Sequence, residues 1–215
     1  LGSSAESSPQ TSISQTLENS SSPPEAVTET YVITPATPSC SGDPFILKVI
    51  VNPSIITNAL ITNNSCFESN DGVIDTDITG GVPFSSGPPY LILWNGPNSF
   101  TSTASTITNL IAGDYILRIE DSNGVFVTEL YTVTQPDLLT ITTDVEKNIS
   151  CFGGNDGAIE VSINGGTAPY TYNWTGDGVV QGSPNQSGLT AGTYSLEVVD
   201  DELCVINQTY ILTEP

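Results

Sequence analysis

The sequence contains no histidine and no methionine, and only three of its 215 residues are basic. These are Lys48, Arg118 and Lys147, set against 24 acidic residues, and the formal net charge is -21. Without histidine, neither a Ser-His-Asp triad nor a Cys-His pair can form. Three scattered cations cannot build a phosphate-binding surface or a polybasic patch. We therefore expect no enzyme of these classes, no nucleic-acid partner and no attachment to an anionic membrane surface.

Two further absences narrow the class of protein: Cys-x-x-Cys spacing and a long apolar run. The sequence has four cysteines, but none of them stands in Cys-x-x-Cys spacing, so a zinc-thiolate site is not expected. No apolar run reaches the ~18 residues of a membrane helix, and no signal peptide is recognised. We expect any anchor or export signal to lie outside this chain. Cysteines in an acidic, lysine-poor chain fit an oxidising, extracellular compartment better than the cytosol.

What the sequence does contain is a long internal repeat. The stretch SCFESNDGVIDTDITGG (65–81) returns as SCFGGNDGAIEVSINGG (150–166). Three later pairs follow in the same order: PPYLILWNG and APYTYNWTG, LIAGDYILRIED and LTAGTYSLEVVD, and VFVTELYTVTQP and CVINQTYILTEP. From Cys to Trp the first copy spans 28 residues and the second 23. The extra length lies in the Pro/Gly/Ser loop VPFSSGPPY, where an insertion costs little. The chain is therefore expected to fold as similar modules in series.

The residue pattern predicts strands throughout. Segments such as VIDTDI, AIEVSI, YILRIE and YSLEVV alternate or are rich in β-branched residues, and Gly, Pro, Asn and Asp clusters separate them. Residues 30–53 predict a further hairpin. We predict an all-β fold of tandem immunoglobulin-like β-sandwich modules in a linear array. Trp94 and Trp174 are expected in the cores, and Tyr115 and Tyr194 as corner tyrosines that bond back to upstream backbone.

The repeated unit, with its Cys, NDG, GG, PYxxxW, AGxY and terminal EP elements, resembles the SprB repeat. SprB repeats occur in tandem in very large cell-surface adhesins of gliding and related Bacteroidetes. The resemblance covers roughly residues 60–136 and 145–215. The stretches ISQTLENSSSPPEAVTETYVITP and CSGDPFILKVIVNP resemble the tail of a PKD-like domain. The predicted modules are a partial PKD-like β-domain (1–55), a first SprB-type repeat (56–137) and a second one (138–215).

The resemblance implies a non-enzymatic, structural or adhesive segment of a surface fibre. It implies export by the type IX secretion system, a location at the cell surface, and a role in gliding or attachment. The implied partners are neighbouring repeats of the same chain, and surface polysaccharide or other adhesin subunits. The alternative is a ligand-binding β-sandwich, in which Tyr90, Tyr170 and Tyr172 stack on sugars. Because Tyr170, Tyr172 and Trp174 share one strand face, burial of the tryptophan favours a core role for the tyrosines as well.

The cysteines suggest disulfides. Cys151 and Cys204 bracket the second repeat, and a bond between them would stabilise it by roughly 4 kcal/mol through loop closure. The first repeat has Val125 where the second has Cys204, so Cys66 lacks a partner within its own repeat. Cys40 is a candidate partner for Cys66, although it is also placed to pair within its own domain.

The acidic residues suggest either turns or calcium sites. In each Asn-Asp-Gly triplet, Asn and Asp bond local backbone and Gly adopts a positive φ, which makes a turn into the next strand. Alternatively, carboxylates converge at a domain end and bind calcium as a cofactor. The two candidate sets are Asp71, Asp75 and Asp121 in the first repeat, and Asp156, Glu160 and Asp200 in the second.

Overall fold

The computed structural model describes residues 16–19, 25–37 and 39–215. Most of the Ser-rich start of the predicted PKD-like module lies outside them. The described strands are β1 (Val27–Ile33), β2 (Ala36–Thr37), β3 (Cys40–Ser41), β4 (Phe45–Val51), β5 (Ile56–Thr62), β6 (Gly72–Thr79), β7 (Leu91–Gly96), β8 (Phe100–Ser102), β9 (Thr106–Leu110), β10 (Gly113–Glu120), β11 (Phe126–Val133), β12 (Thr140–Lys147), β13 (Gly157–Asn164), β14 (Thr171–Thr175), β15 (Gln186–Leu189), β16 (Gly192–Val199) and β17 (Val205–Leu212). The only helical element in the described part is a 3₁₀ turn at Pro97–Ser99. The all-β prediction is confirmed.

A hairpin begins the described part of the chain. Strand β1 pairs antiparallel with β4, with Val27 opposite Val51 and Ile33 opposite Phe45. Between them, β2 and β3 form a two-residue ladder around the predicted Pro/Gly/Ser turn. The hairpin expected from residues 30–53 is therefore confirmed.

Two compact units make up the chain. The first comprises Leu1–Leu60, Asp75–Thr106 and Tyr115–Tyr131, and the second comprises Ile61–Ile74, Ile107–Asp114 and Thr132–Pro215. The second unit thus contains the whole second repeat together with three short segments of the first, residues 61–74, 107–114 and 132–137. The module boundaries after residues 55 and 137 stay a prediction.

The second repeat has the strand order of an immunoglobulin-like sandwich. One sheet has the order β12-β13-β15 and the other has the order β14-β16-β17. Numbered in chain order, these are strands A, B and E in one sheet and C, F and G in the other, which is the immunoglobulin arrangement without strand D. The pairings β12–β13, β14–β16 and β16–β17 are all antiparallel.

The first repeat repeats this topology. Its sheets have the orders β5-β6-β9 and β11-β10-β7-β8, which again correspond to A-B-E and G-F-C. The short strand β8 extends the second sheet and pairs antiparallel with β7. The tandem immunoglobulin-like prediction is confirmed by these two matching strand orders.

Alternation along the strands places the aromatic residues inside. In β16, Tyr194, Leu196 and Val198 are buried, and in β10 the same positions are Tyr115, Leu117 and Ile119. The exposed fractions of Trp94 and Trp174 are 0% and 2%. The Tyr194 hydroxyl donates to the Thr190 carbonyl at 2.8 Å, as a corner tyrosine does. Each repeat thus builds a core from the side chains that its sequence repeats.

The Gly-Gly turn after β13 supplies a stability test. Gly165 has φ +73°, and a Cβ there would lie 2.0 Å from the Leu138 carbonyl oxygen. Gly178 has the same φ but open space around it, so it isolates the backbone cost. Gly178→Ala should lower the free energy of unfolding by about 1 kcal/mol, and Gly165→Ala by about 1–3 kcal/mol more, because the backbone must move. Urea unfolding of both variants checks this, and equal losses would contradict it.

Candidate functional site

The polar residues that the two repeats share gather in two kinds of loop. One is the Cys loop, residues 63–71 in the first repeat and 148–156 in the second, which joins strands A and B. The other is the Asp turn, residues 121–125 and 200–204, which joins strands F and G. The two Cys loops share Asn, Ser, Cys and Asp at matching positions, and the two Asp turns share their first aspartate.

The second Asp turn is organised by a buried carboxylate. Asp200 is only 3% exposed. Its Oδ1 accepts the backbone N–H groups of Glu202 at 3.0 Å and Cys204 at 2.8 Å, and its Oδ2 accepts that of Thr167 at 2.8 Å. The carboxylate therefore fixes the turn that carries Cys204 and ties it to the loop that follows the Gly-Gly turn. Three donors to one carboxylate satisfy its charge without a metal ion.

The first Asp turn has the same construction. Asp121, 2% exposed, accepts the N–H groups of Asn123 at 2.9 Å, Val125 at 3.0 Å and Val82 at 2.9 Å. Val125 therefore occupies the position of Cys204, and its N–H makes the same hydrogen bond to the aspartate of its turn. The cysteine is present in only one of two otherwise equivalent turns.

Neutralising the buried carboxylate should be costly. In Asp200→Asn an amide NH₂ faces at least one of the three N–H donors, so a buried donor loses its acceptor, and the free energy of unfolding should fall by about 2–3 kcal/mol. Urea unfolding at neutral pH measures this. Asp201→Asn is the matched control, since Asp201 is exposed and should change stability by less than about 0.5 kcal/mol. Equal effects of the two variants would show that the turn does not depend on Asp200.

The second Cys loop is tied to the C-terminal end of β17. The Ile149 N–H donates to the Thr213 carbonyl at 3.0 Å, and the Gly153 N–H donates to Glu214 Oε2 at 2.6 Å. Within the loop, Asp156 accepts the Ser150 N–H at 2.9 Å and the Lys147 ammonium at 2.9 Å. The loop is thus held both to itself and to the end of strand G.

The first Cys loop makes the corresponding contacts. The Asn64 N–H donates to the Thr134 carbonyl at 2.9 Å, and the Glu68 N–H donates to Gln135 Oε1 at 2.9 Å. Asp71 accepts the Ser65 N–H at 3.2 Å. The two Cys loops therefore share one conformation, which explains the repeated Ser-Cys-Phe and Asn-Asp-Gly elements as a turn with an Asp cap.

These Asp caps should be lost in acid. Hydrogen bonds from the Ser65 and Ser69 side chains lower the pKa of Asp71 from 3.8 to about 2, and the Ser150 backbone and side chain, with Lys147, lower the pKa of Asp156. Since both pKa values fall on folding, the charged forms stabilise the loops above pH 3.8, and this contribution is lost as the pH drops toward 2. Carboxyl-carbon NMR titration tests this. Ser69→Ala should raise the pKa of Asp71, and an unchanged value would contradict the assignment.

The disulfide joins the two repeats. Cys66 in the first Cys loop is bonded to Cys204 in the second Asp turn, with a sequence separation of 138 and a Cα–Cα distance of 5.8 Å. Among the described residues the free cysteines are Cys40 and Cys151, both exposed. The predicted pairs Cys151–Cys204 and Cys40–Cys66 are therefore wrong.

The topology explains the correction. The second Cys loop is held at the Thr213 end of β17, whereas Cys204 immediately precedes Val205, at the opposite end. A strand of eight residues spans roughly 25 Å, while the two Cα atoms of a disulfide lie within about 7 Å. Cys151 and Cys204 of one repeat therefore cannot bond. The strand order separates the two cysteines, although their positions in the sequence bracket one repeat.

The carboxylates proposed for calcium are not brought together. Within the residues that the structure describes, no group of three His, Cys, Asp or Glu side chains is placed to hold a metal ion. Asp71, Asp121, Asp156 and Asp200 cap the loops above, Asp75 accepts the Thr106 hydroxyl at 2.5 Å, and Glu160 lies exposed on β13 opposite Val145. This corrects the calcium interpretation, because the loop aspartates bond local backbone as the turn interpretation expects. The positive φ predicted for the glycine of each triplet is wrong, since Gly72 and Gly157 begin β6 and β13 without one. Close packing explains these glycines instead: a Cβ would lie 2.6 Å from Asn64 Oδ1 at Gly72 and 2.9 Å from the Leu189 carbonyl oxygen at Gly157.

The three tyrosines of the sugar-binding alternative are turned to the protein. Tyr90 is 8% exposed and donates to the Gly80 carbonyl at 2.7 Å, and Tyr170 donates to the Gly165 carbonyl at 2.7 Å. Tyr172 packs against the core of the second repeat, and burial raises the pKa of its phenol. Their rings therefore form no exposed row on which a sugar could stack.

Family models match three stretches of the chain. Residues 58–99 and 143–179 match the model of the SprB repeat, and residues 2–55 match the model of a PKD-like domain. No curated protein matches the chain. In the described part, no helix has the length and apolar character needed to cross a membrane.

Several solved structures resemble the chain at low identity. A C-terminal 282-residue fragment of intimin, solved with the intimin-binding domain of its translocated receptor, is 16% identical over 76% of this chain and 64% of that one, with a TM-score of 0.40. The N-terminal four Ig domains of Dscam1 isoform 6.44 are 14% identical over 81% of this chain, with a TM-score of 0.32. The chain spans about half of that Dscam1 fragment, 51%.

Proposed function

We propose that this chain, which carries two SprB repeats behind a PKD-like domain, is a load-bearing, non-enzymatic segment of a bacterial cell-surface adhesin. The observation that carries the proposal is the bond between Cys66 and Cys204. It joins a loop of one repeat to a turn of the next, in place of bracing a single domain. A covalent link between successive repeats suits a chain that must transmit force along its length.

The surface chemistry supports the same role. Two of the three cations are paired locally: Arg118 with Glu120 at 2.7 Å and Lys147 with Asp156 at 2.9 Å. The Arg118 guanidinium also lies 4.5 Å from the centre of the Phe126 ring. The remaining carboxylates leave a strongly anionic exterior, which repels like-charged copies and keeps a repetitive fibre soluble.

The match to the SprB repeat supports a finer role. We propose that the parent protein is exported by type IX secretion, stands on the outer surface of the cell, and contributes to attachment or gliding. Within it, these repeats hold an adhesive region away from the cell surface. Their partners are the neighbouring repeats of the same chain, with ligand recognition assigned to other parts of the adhesin.

A domain exchange in the producing bacterium tests the proposal. Residues 56–215 are replaced by two unrelated immunoglobulin-like modules of equal length that also carry an inter-module disulfide, and attachment and gliding are measured. A spacer role predicts that both activities are retained. Loss of attachment with normal surface display would instead assign ligand binding to the repeats, and a glycan array on the purified chain would then identify the sugar class.

A further inference from the structure

We propose that Cys151 is one half of a second inter-repeat disulfide, and that its partner is the Asp-turn cysteine of another SprB-type repeat joined after this one. In this arrangement each repeat offers a cysteine from its Cys loop to the next repeat and receives one through its Asp turn. The Cys66–Cys204 bond is then one link of a series, and Cys151 opens the next link.

The first support is that the unbonded loop already has the bonded conformation. In the first repeat, where Cys66 is oxidised, the loop is fixed by the bonds Asn64–Thr134, Glu68–Gln135 and Ser65–Asp71. In the second repeat the same bonds recur as Ile149–Thr213, Gly153–Glu214 and Ser150–Asp156. Cys151 therefore occupies the position from which its counterpart forms a disulfide in the same molecule. No rearrangement of the loop is needed for the second bond.

The exposure of side chains in the second Cys loop also supports a second inter-repeat disulfide. Cys151 is exposed, and the adjacent Phe152 is 84% exposed. In the bonded loop the equivalent Phe67 is 38% exposed. An exposed thiol beside an exposed phenylalanine is the pair of groups that a neighbouring repeat would cover.

The distribution of turn cysteines indicates that each one pairs with the Cys loop of the preceding repeat. The second Asp turn, which follows a SprB repeat in the chain, carries Cys204. The first Asp turn, which follows the PKD-like module, carries Val125 in the same hydrogen-bonded position. A turn cysteine thus occurs where the preceding module is a repeat with a Cys loop, and is absent where the preceding module is the PKD-like one. This is expected if the turn cysteine serves only as the acceptor for the loop cysteine of the preceding repeat.

The bond itself requires an oxidant. The Cys151 and turn-cysteine thiols each lose a proton, and two electrons pass to a disulfide oxidant through a mixed-disulfide intermediate, which releases two thiols. Oxidised glutathione supplies this disulfide in vitro. The product is one S–S bond between the two repeats.

A three-repeat chain tests the proposal. A copy of residues 137–215 is fused directly after Pro215, so that the added repeat follows the second as the second follows the first, and the protein is refolded with reduced and oxidised glutathione. Peptide mapping by mass spectrometry should find Cys66–Cys204 and a bond from Cys151 to the added turn cysteine. The matched control carries valine at the added turn position, as the first repeat does. It should leave Cys151 free to alkylation, with one more free thiol than the parent fusion.

Two results would overturn the proposal. One is that Cys151 stays alkylatable in the three-repeat chain while Cys66–Cys204 forms. The other comes from the unextended chain with Cys66→Ser, which does not depend on the folding of an added repeat. There, Cys204 should remain a free thiol, because Cys151 lies at the other end of its sandwich. A Cys151–Cys204 bond in that variant would contradict the geometry on which the series rests.

Discussion

Replacing both Cys66 and Cys204 by serine is expected to lower the free energy of unfolding by about 5 kcal/mol. The bond closes a loop with a sequence separation of 138, and on the chain-entropy relation a closure of this length restricts the unfolded chain by that amount. This is comparable with the whole stability of a small domain. Urea unfolding, followed by the fluorescence of Trp94 and Trp174 in the two cores, measures the loss.

The chain provides its own control for this experiment. The double variant Cys40→Ser and Cys151→Ser removes the same number of sulfur atoms, but from exposed and unbonded positions. Its unfolding midpoint should match that of the parent protein within error. The disulfide interpretation fails if the two double variants lose stability equally, or if dithiothreitol leaves the parent midpoint unchanged.

The fold was predictable because the sequence repeats its core pattern. Tyr194, Leu196 and Val198 alternate with outward residues in β16, and Tyr115, Leu117 and Ile119 do so in β10. Alternation fixes which face of a strand is buried, and the glycine-rich turns fix where strands end. These signals are local, so they can be read without knowing which strands are neighbours.

The disulfide could not be predicted in the same way. The bracket formed by Cys151 and Cys204 suggests a bond within one repeat, and only the strand order shows that the two residues lie at opposite ends of β17. Val125 was the available signal. Its presence in one of two equivalent turns indicates that the turn cysteine depends on the preceding module and not on its own repeat.

The roles of Asp121 and Asp200 could not be predicted from the sequence either. Asp121 and Asp200 end a strand in each copy, which is compatible with a calcium ligand or with a turn cap. The choice depends on whether backbone N–H groups converge on the side chain, and three do so on each residue. Composition shows that acidic groups are present. Only the folded backbone shows that N–H groups already donate to the oxygen atoms of these two carboxylates.

Pulling the chain by its ends is expected to release far less length when the disulfide is intact. Tension entering at the N-terminus reaches Cys66, crosses the S–S bond and leaves through Cys204, so the residues between the two cysteines carry no load. Strands β6 to β16 lie within that protected span. Reduction should therefore increase the extended length of the fully unfolded chain by about 470 Å, at ~3.4 Å for each of the 138 residue steps.

Single-molecule force spectroscopy with and without dithiothreitol measures this length. The Cys66→Ser variant is the matched control, since it should give the long extension under both conditions. Cys151→Ser should behave as the parent protein does, because Cys151 is unbonded in this chain. If oxidised protein already extends to the full length of its sequence, tension runs through the two repeats one after another and the load-bearing role of the bond is wrong. A short extension restored by reoxidation would place the bond directly in the path of the force.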